Sequence, residues 1–545
     1  MSQETPASTP VSAPSRTQHS ARNALVGSLC QMLTMVLAFV VRMVFVRALS
    51  TDYQGISGWF ANILSVLNIS ELGIGTALVV SLYKPLAQGD TFRVRATLRL
   101  LRKAYRYVGL AVLGLGLLLL PFLPVLINKQ TDLVDLRLVY GMFLAQSVSS
   151  YWFWGYKAAI YTADQRQSRI HLISLLISVV SSTLQILALA LWHNYYAYVA
   201  VYAPAVILKN LLIAASANRD YPYLRRLSPL LPGEDDQTSL PKAERKGIFK
   251  NLFGLSLYRL SGTVLNATDN LVLGKFDGFP IIGLYWNYQL VTTAASTIFS
   301  LVFQSFTASV GNLHVTGELE RRRFIFRSIN LLDGWLYGFG SVCLYVLLDP
   351  FVTLFFGADR VFTDPWVAPI IALNFLTSGL LETTIMHKDA CGLFWQGRFR
   401  PVFSAGLNII LSLWWVHFWG ISGVLAATIV SRLLTTWWFD PWMVHHYALQ
   451  TGVRGYFLQT GLVMALAIAC GGLLKALQGW LFPAFSPGGF LVMILLCLVL
   501  PNALFWAVFH GRPEYAYLKE QAERLLRKAL GRKAPGRAQA GPPQA

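Results

Sequence analysis

Apolar runs of roughly 20 residues recur along most of this chain, each long enough to cross a hydrocarbon layer about 30 Å thick as an α-helix. They predict helices near residues 24–48, 54–82, 107–127, 138–161, 171–192 and 196–217. A polar stretch from Asn218 to Lys250 follows, and then helices near 251–273, 281–310, 328–349, 366–387, 401–418, 420–440, 456–477 and 488–510. About 14 crossings return both termini to one side of the membrane.

Polar positions inside these runs are informative because an ion at the bilayer centre costs about 2.5–3.5 kcal/mol on insertion scales. The stretch from Val41 to Pro85 reads as a helix, a tight polar turn and a second helix, with Arg42 and Glu71 inside its apolar arms. Such residues normally face a wet or protein-lined interior.

The pattern also repeats. The fourth helix ends in KAAIYTADQRQSR, Lys157 to Arg169, and the tenth in KDACGLFWQGRFR, Lys388 to Arg400, with Lys, Gln and Arg in register. Each is followed by a helix pair, and Lys209 of the sixth helix then has its counterpart in Arg432 of the twelfth. LSTDYQGISGWFAN after the first arm is answered by FDGFPIIGLYWN after the seventh. Six helices therefore occur twice in the same orientation, an arrangement that builds two bundles about an axis along the membrane normal with a site at their interface. The last two helices lie outside the repeat.

Composition agrees with a polytopic membrane protein. Of 545 residues, 55% are hydrophobic and 13% charged, and the mean hydropathy is +0.50. The formal charge of +19 does not point to nucleic acid, because Lys and Arg cluster in short segments between apolar runs, as in cytoplasmic loops. The outer turns hold only Lys129, Arg137, Lys275 and Arg360, which puts both termini in the cytoplasm. KPLAQGDTFRVRATLRLLRKAYR, the run Arg321 to Arg323, and the C-terminal LKEQAERLLRKALGRK can rest on anionic headgroups. The five cysteines show no CxxC spacing, so neither a disulfide framework nor a metal site is indicated. His445 and His446, beside Arg454, are expected to touch headgroups in an inner loop.

The expected organisation is a disordered cytoplasmic tail over 1–22, a six-helix bundle over 23–217 and a cytoplasmic linker over 218–250. A second bundle follows over 251–440, then two extra helices within 441–510 and a basic cytoplasmic tail over 511–545. The fold class is all-α.

Four stretches together resemble the polysaccharide biosynthesis proteins, the Wzx-like repeat-unit flippases. They are LSTDYQGISGWFANILSVLNISELGIGTA with YKAAIYTADQR, ATDNLVLGKFDGFPIIGLY and GLFWQGRFRPVFSAGLNIILSL. The likeness runs from about Asn23 to His510, with Ser50 a departure where the family commonly has Gly before the turn. That family shares a superfamily with multidrug and lipid II exporters. The resemblance implies alternating access between two six-helix bundles and movement of undecaprenyl-pyrophosphate-linked sugars from the inner to the outer leaflet, with no cofactor.

A lipid-linked pyrophosphate needs cations in place of water, and the planar fork of Arg suits phosphate best. Arg42, Arg259 and Arg432 are the embedded candidates, with Lys209 and Lys157 as point charges nearer the inner face. Asp269 is placed to pair with Arg42, while Glu71 and Glu382 are candidates to carry a coupling H+ or Na+ or to form static ion pairs. Asp333, near an inner helix end, is expected to be solvated or paired. Trp59, Trp154 and Trp286 can stack on sugar rings.

A flippase for a lipid-linked oligosaccharide, acting as a monomer among membrane lipids, is thus the first reading. A multidrug exporter of the same fold would want an anionic cavity, and the embedded charges here are mostly positive. A membrane scaffold without transport is a further reading that the sequence does not exclude. A glycosyltransferase or polymerase needs an acidic outer loop, and DPFVTLFFGADRVFTDP, with Asp349, Asp359 and Asp364, is the longest outer segment.

Overall fold

In a computed structural model of the chain, residues 16–68, 88–126, 133–224 and 267–529 are described, with a few single positions between them. Helix α6, Gln167–Trp192, illustrates why these segments need a hydrocarbon solvent. Its exposed face is a stripe of Leu172, Leu176, Val180, Leu184, Leu187 and Leu191, while Ser182 and Gln185 are buried on the other side. That spacing of three or four residues follows one helix face, with the polarity of a soluble helix inverted. Among the described residues no strand occurs, and ten helices are long and apolar enough to cross a membrane.

The chain divides into two units, residues 1–290 with 401–424 and residues 291–400 with 425–545. The first unit holds α1 (Arg16–Ala48), α2 (Thr51–Leu67), α3 (Thr91–Leu119), α4 (Leu136–Trp152) and α5 (Ala158–Ala163), then α6, α7 (Tyr195–Ala200) and α8 (Tyr202–Asp220). It also holds a helical stretch over 267–276 and the start of α9 (Phe279–Thr316). α1 packs along α6, and α4 packs between α3 and α8. One core cluster gathers Leu98, Leu101, Tyr156, Ile160, Tyr161, Ile213 and Tyr221 from α3, α5, α8 and their connections.

The second unit is built on α10 (Leu319–Phe356), which contacts α11 (Val367–Gly379), α12 (Glu382–Ala390), α14 (Arg454–Leu481), α15 (Pro487–Phe509) and α16 (Pro513–Ala529). Its core includes Val342, Val346, Leu376, Val463, Leu474 and Phe505. The two helices outside the repeat, α14 and α15, therefore share one core with the ninth and tenth predicted crossings. α16 occupies part of the expected C-terminal tail, held to α10 by Arg327 with Glu514 at 3.4 Å and by the rings of Phe324 and Tyr517. At the other end α1 begins at Arg16, within the stretch expected to be a tail.

Several predicted crossings are broken. α13 runs from Arg400 to Val444, but Gly420 has φ 50° and ψ −133° and separates the two predicted crossings there. Without a Cβ, glycine enters this left-handed region at little cost. The predicted crossing over 138–161 is interrupted after α4 by Trp154 at φ 56°. Much of the predicted helices 54–82 and 251–273, and most of the 218–250 linker, lie outside the described residues, so the described helices do not fix a count of fourteen.

Candidate substrate-binding site

Near the end of α1, Arg42 is partly buried with its guanidinium over the ring of Trp286, 4.2 Å from the centroid. The tyrosine run of α7 and the start of α8 supports the same region. Phe45 packs edge-on against Tyr198, the Tyr198 and Tyr202 hydroxyls are 2.7 Å apart, and Tyr195 shares a 2.8 Å hydrogen bond with Ser57. A cation over a ring face gains about 0.5–2 kcal/mol and leaves the in-plane N–H groups unused. Among the described residues Arg42 has no hydrogen-bond acceptor and no ion partner. The expected pair with Asp269 is not among the described ion pairs, and Asp269 itself is buried in the 267–276 helix.

Lys209 lies seven residues beyond Tyr202 on α8, which puts both on one helix face about 10 Å apart along the axis. It is partly buried, and no described group bonds to its ammonium. Its counterpart Arg432 is engaged, donating to the Asn374 side-chain oxygen at 2.6 Å, to the Asn374 carbonyl at 3.2 Å and to Thr377 at 3.1 Å. Lys157 is buried and donates to Asn218 at 2.6 Å, which ties the α5 corner to α8. Among the described residues Arg42 and Lys209 thus have no bonded partner, while Lys157 and Arg432 are hydrogen-bonded within their own units.

With this arrangement in view, comparison with known proteins is decisive on family. The model of the polysaccharide biosynthesis protein family matches residues 20–307, more than half the chain. The chain belongs to the polysaccharide biosynthesis protein family. No curated protein matches it. Solved structures extend the likeness at the level of fold. The lipid II flippase MurJ in an inward closed conformation aligns with a TM-score of 0.61 at 14% identity, covering 89% of this chain and 99% of that one. An inward-facing multidrug resistance MATE transporter of the MOP superfamily gives 0.57 at 13%, covering 81% and 99%. A MOP superfamily transporter from Pyrococcus furiosus gives 0.56 at 13%, covering 79% and 97%.

The acids of this family member differ from their sequence reading. Asp333 is fully buried, and its carboxylate accepts the Thr383 N–H at 2.9 Å. It is neither solvated nor at a helix boundary. The polypeptide breaks between α11 and α12, which frees N–H groups at the start of α12, and Asp333 on the neighbouring α10 accepts the one from Thr383. Glu382 opens α12 and is partly buried. Glu71 and Arg259 lie outside the described residues.

Two further corrections concern rings. His445 is buried against Phe326 and Tyr456 with Nδ1 2.8 Å from the Pro441 carbonyl, so only His446, stacked on Trp442, keeps the expected exposed position. Trp59 is 1% exposed and packs in the core, whereas Trp154 is 41% exposed.

Sequence reading also missed partners of the repeated arginines. Arg400 meets Asp440 at 2.7 Å and Thr436 at 2.8 Å. In the first unit Arg169 reaches Asp220 at 4.0 Å, and Tyr161 donates to the same carboxylate at 2.9 Å. Beside it the Tyr221 hydroxyl donates to Asp164, and its burial, with that bond, pushes its pKa up. The signal available was the register of Arg169 with Arg400; nothing local marks the acids 51 and 40 residues later as their partners.

Proposed function

We propose that this protein translocates an undecaprenyl-pyrophosphate-linked oligosaccharide across the cytoplasmic membrane by alternating access, with Arg42 and Lys209 receiving the pyrophosphate. The observation that carries this reading is Arg42: a membrane-embedded guanidinium, steadied by Trp286, whose N–H donors no described residue uses. An arginine kept in an apolar segment without a counter-ion is costly unless an anion arrives, and a diphosphate supplies oxygens in the geometry its fork accepts. Lys209, further along the same face of α8, adds a point charge for the second phosphate or for the path toward the inner leaflet. Membership of a polysaccharide biosynthesis family and a fold shared with a lipid II flippase support a lipid-linked saccharide as cargo. Arg259 and Lys157 are secondary members of the cationic path, and Glu71, Asp269 and Glu382 are candidates for H+ or Na+ coupling. The termini are cytoplasmic in this reading, and the protein acts as a monomer.

The multidrug reading has the fold likeness to MATE transporters behind it, but an open guanidinium repels cationic drugs. The test is reconstitution into liposomes with labelled undecaprenyl-pyrophosphate oligosaccharide in one arm and a cationic dye in the other. Saccharide movement without dye movement is expected. Dye efflux with an immobile lipid would replace this reading by the exporter.

A further inference from the structure

α2, the 267–276 helix and the start of α9 meet through glycines. A Cβ on Gly55 would collide with the Phe279 carbonyl, one on Gly283 with the Thr51 carbonyl, and one on Gly58 would lie 3.0 Å from the Trp286 ring. Such a seam brings backbones together without interlocking side chains, so its faces can part without unthreading. Within it lie Gln54, next to Gly55; Asn270, one turn before Gly274; and Asn287, next to Trp286. All three are 0% exposed, and among the described residues neither amide atom of any of them has a hydrogen-bond partner.

Buried amides are nearly always bonded, and leaving both ends unpaired is unfavourable. Three in one seam need a reason beyond packing, since apolar residues of the same size would close it more tightly. We propose that Gln54, Asn270 and Asn287 are the glycan-reading side chains of the transport path, hidden while this seam is closed and presented to sugar hydroxyls when it parts. A primary amide offers two donors and one acceptor side by side, which matches the paired hydroxyls of a sugar ring and offers nothing to a hydrocarbon tail. Trp286 connects the two functions, because it touches Gly58 in the seam and also covers Arg42. Parting the seam at Gly58 therefore frees the ring that steadies the phosphate-binding cation.

This inference rests on the flippase reading, and one experiment separates the two. The full-length protein and its Gln54→Met, Asn270→Leu and Asn287→Leu variants are reconstituted into liposomes, with undecaprenyl pyrophosphate carrying the oligosaccharide in one arm and bare undecaprenyl pyrophosphate in the other. The expected result is a ratio of glycan-bearing to bare lipid movement about tenfold lower in the variants, as for loss of one or two hydrogen bonds, with melting temperatures equal to or above wild type. Because that ratio is internal to each preparation, a poorly folded fraction does not mimic it. Equal losses on both lipids, or no loss on either, overturn the glycan assignment while leaving the flippase intact. A wild-type protein that moves neither lipid overturns both.

Discussion

Lys209 and Arg432 occupy matching places in the sequence repeat, yet among the described residues the Lys209 ammonium has no bonded partner while Nη1 of Arg432 bonds Asn374 and Thr377. The same contrast extends to the other cations. Arg42 in the first unit lies over the face of Trp286, while Arg400 in the second is bonded to Asp440 and Thr436. Both halves carry cations within apolar segments, and they differ in what surrounds them. A cation kept among rings retains its donors for a ligand, and a cation given oxygens nearby becomes part of the frame. Charge at a position therefore does not assign a role; the local acceptors do.

The sharpest way to break this comparison is at Arg42. Arg42→Ala is expected to lower saccharide transport about 100-fold, the loss of a bidentate charge-assisted contact, with an unchanged amount of protein in the membrane. Arg42→Lys restores part of it, because an ammonium keeps the charge and loses the fork. Arg432→Gln is expected to keep transport within about threefold per folded molecule while lowering stability by about 1–3 kcal/mol. Transport by each variant, normalised to folded protein, checks all three. Equal transport losses at Arg42 and Arg432 would erase the distinction between open and engaged cations.

The next effect separates the two inner corners. Asp440 is fully buried against Arg400 at 2.7 Å, whereas Arg169 is 57% exposed and 4.0 Å from Asp220. Removing one partner of a buried pair leaves an uncompensated ion, so Asp440→Ala is expected to cost about 3–5 kcal/mol. Asp220→Asn, which leaves an acceptor for Tyr161 and relinquishes an exposed pair, is expected to cost less than about 1 kcal/mol. Denaturation of both variants in the same detergent measures the gap.

These residues also show how far the sequence could be read. The crossings were legible because hydrocarbon thickness fixes the length of an apolar run, and the stripe on α6 is that constraint seen from outside. The repeat was legible because Lys157 with Lys388, and Arg169 with Arg400, keep their spacing. Asp333 was misplaced because its role depends on a break between α11 and α12, and a cap supplied by another helix leaves no local pattern. Arg42 was identified as a charge in an apolar arm, but its openness was not legible. Whether an acceptor lies near a side chain is decided by Trp286, some 240 residues away, and only folding brings the two together.

The smallest expected effect gives the cleanest comparison of all, because it exchanges the two counterparts. If Lys209 is held by no fixed acceptor, a longer cation can replace it, and Lys209→Arg should change transport by no more than about twofold and stability by less than about 0.5 kcal/mol. At the other position Arg432→Lys keeps the charge, but its shorter side chain stops short of the place from which Nη1 of Arg432 bonds both Asn374 and Thr377. That change is expected to lower stability by about 1 kcal/mol, the loss of a single net hydrogen bond, with transport per folded molecule unchanged. If Lys209→Arg proved the more damaging of the two, Lys209 would have to be fitted to a fixed partner, and the first repeat would no longer be the half that keeps its cations open.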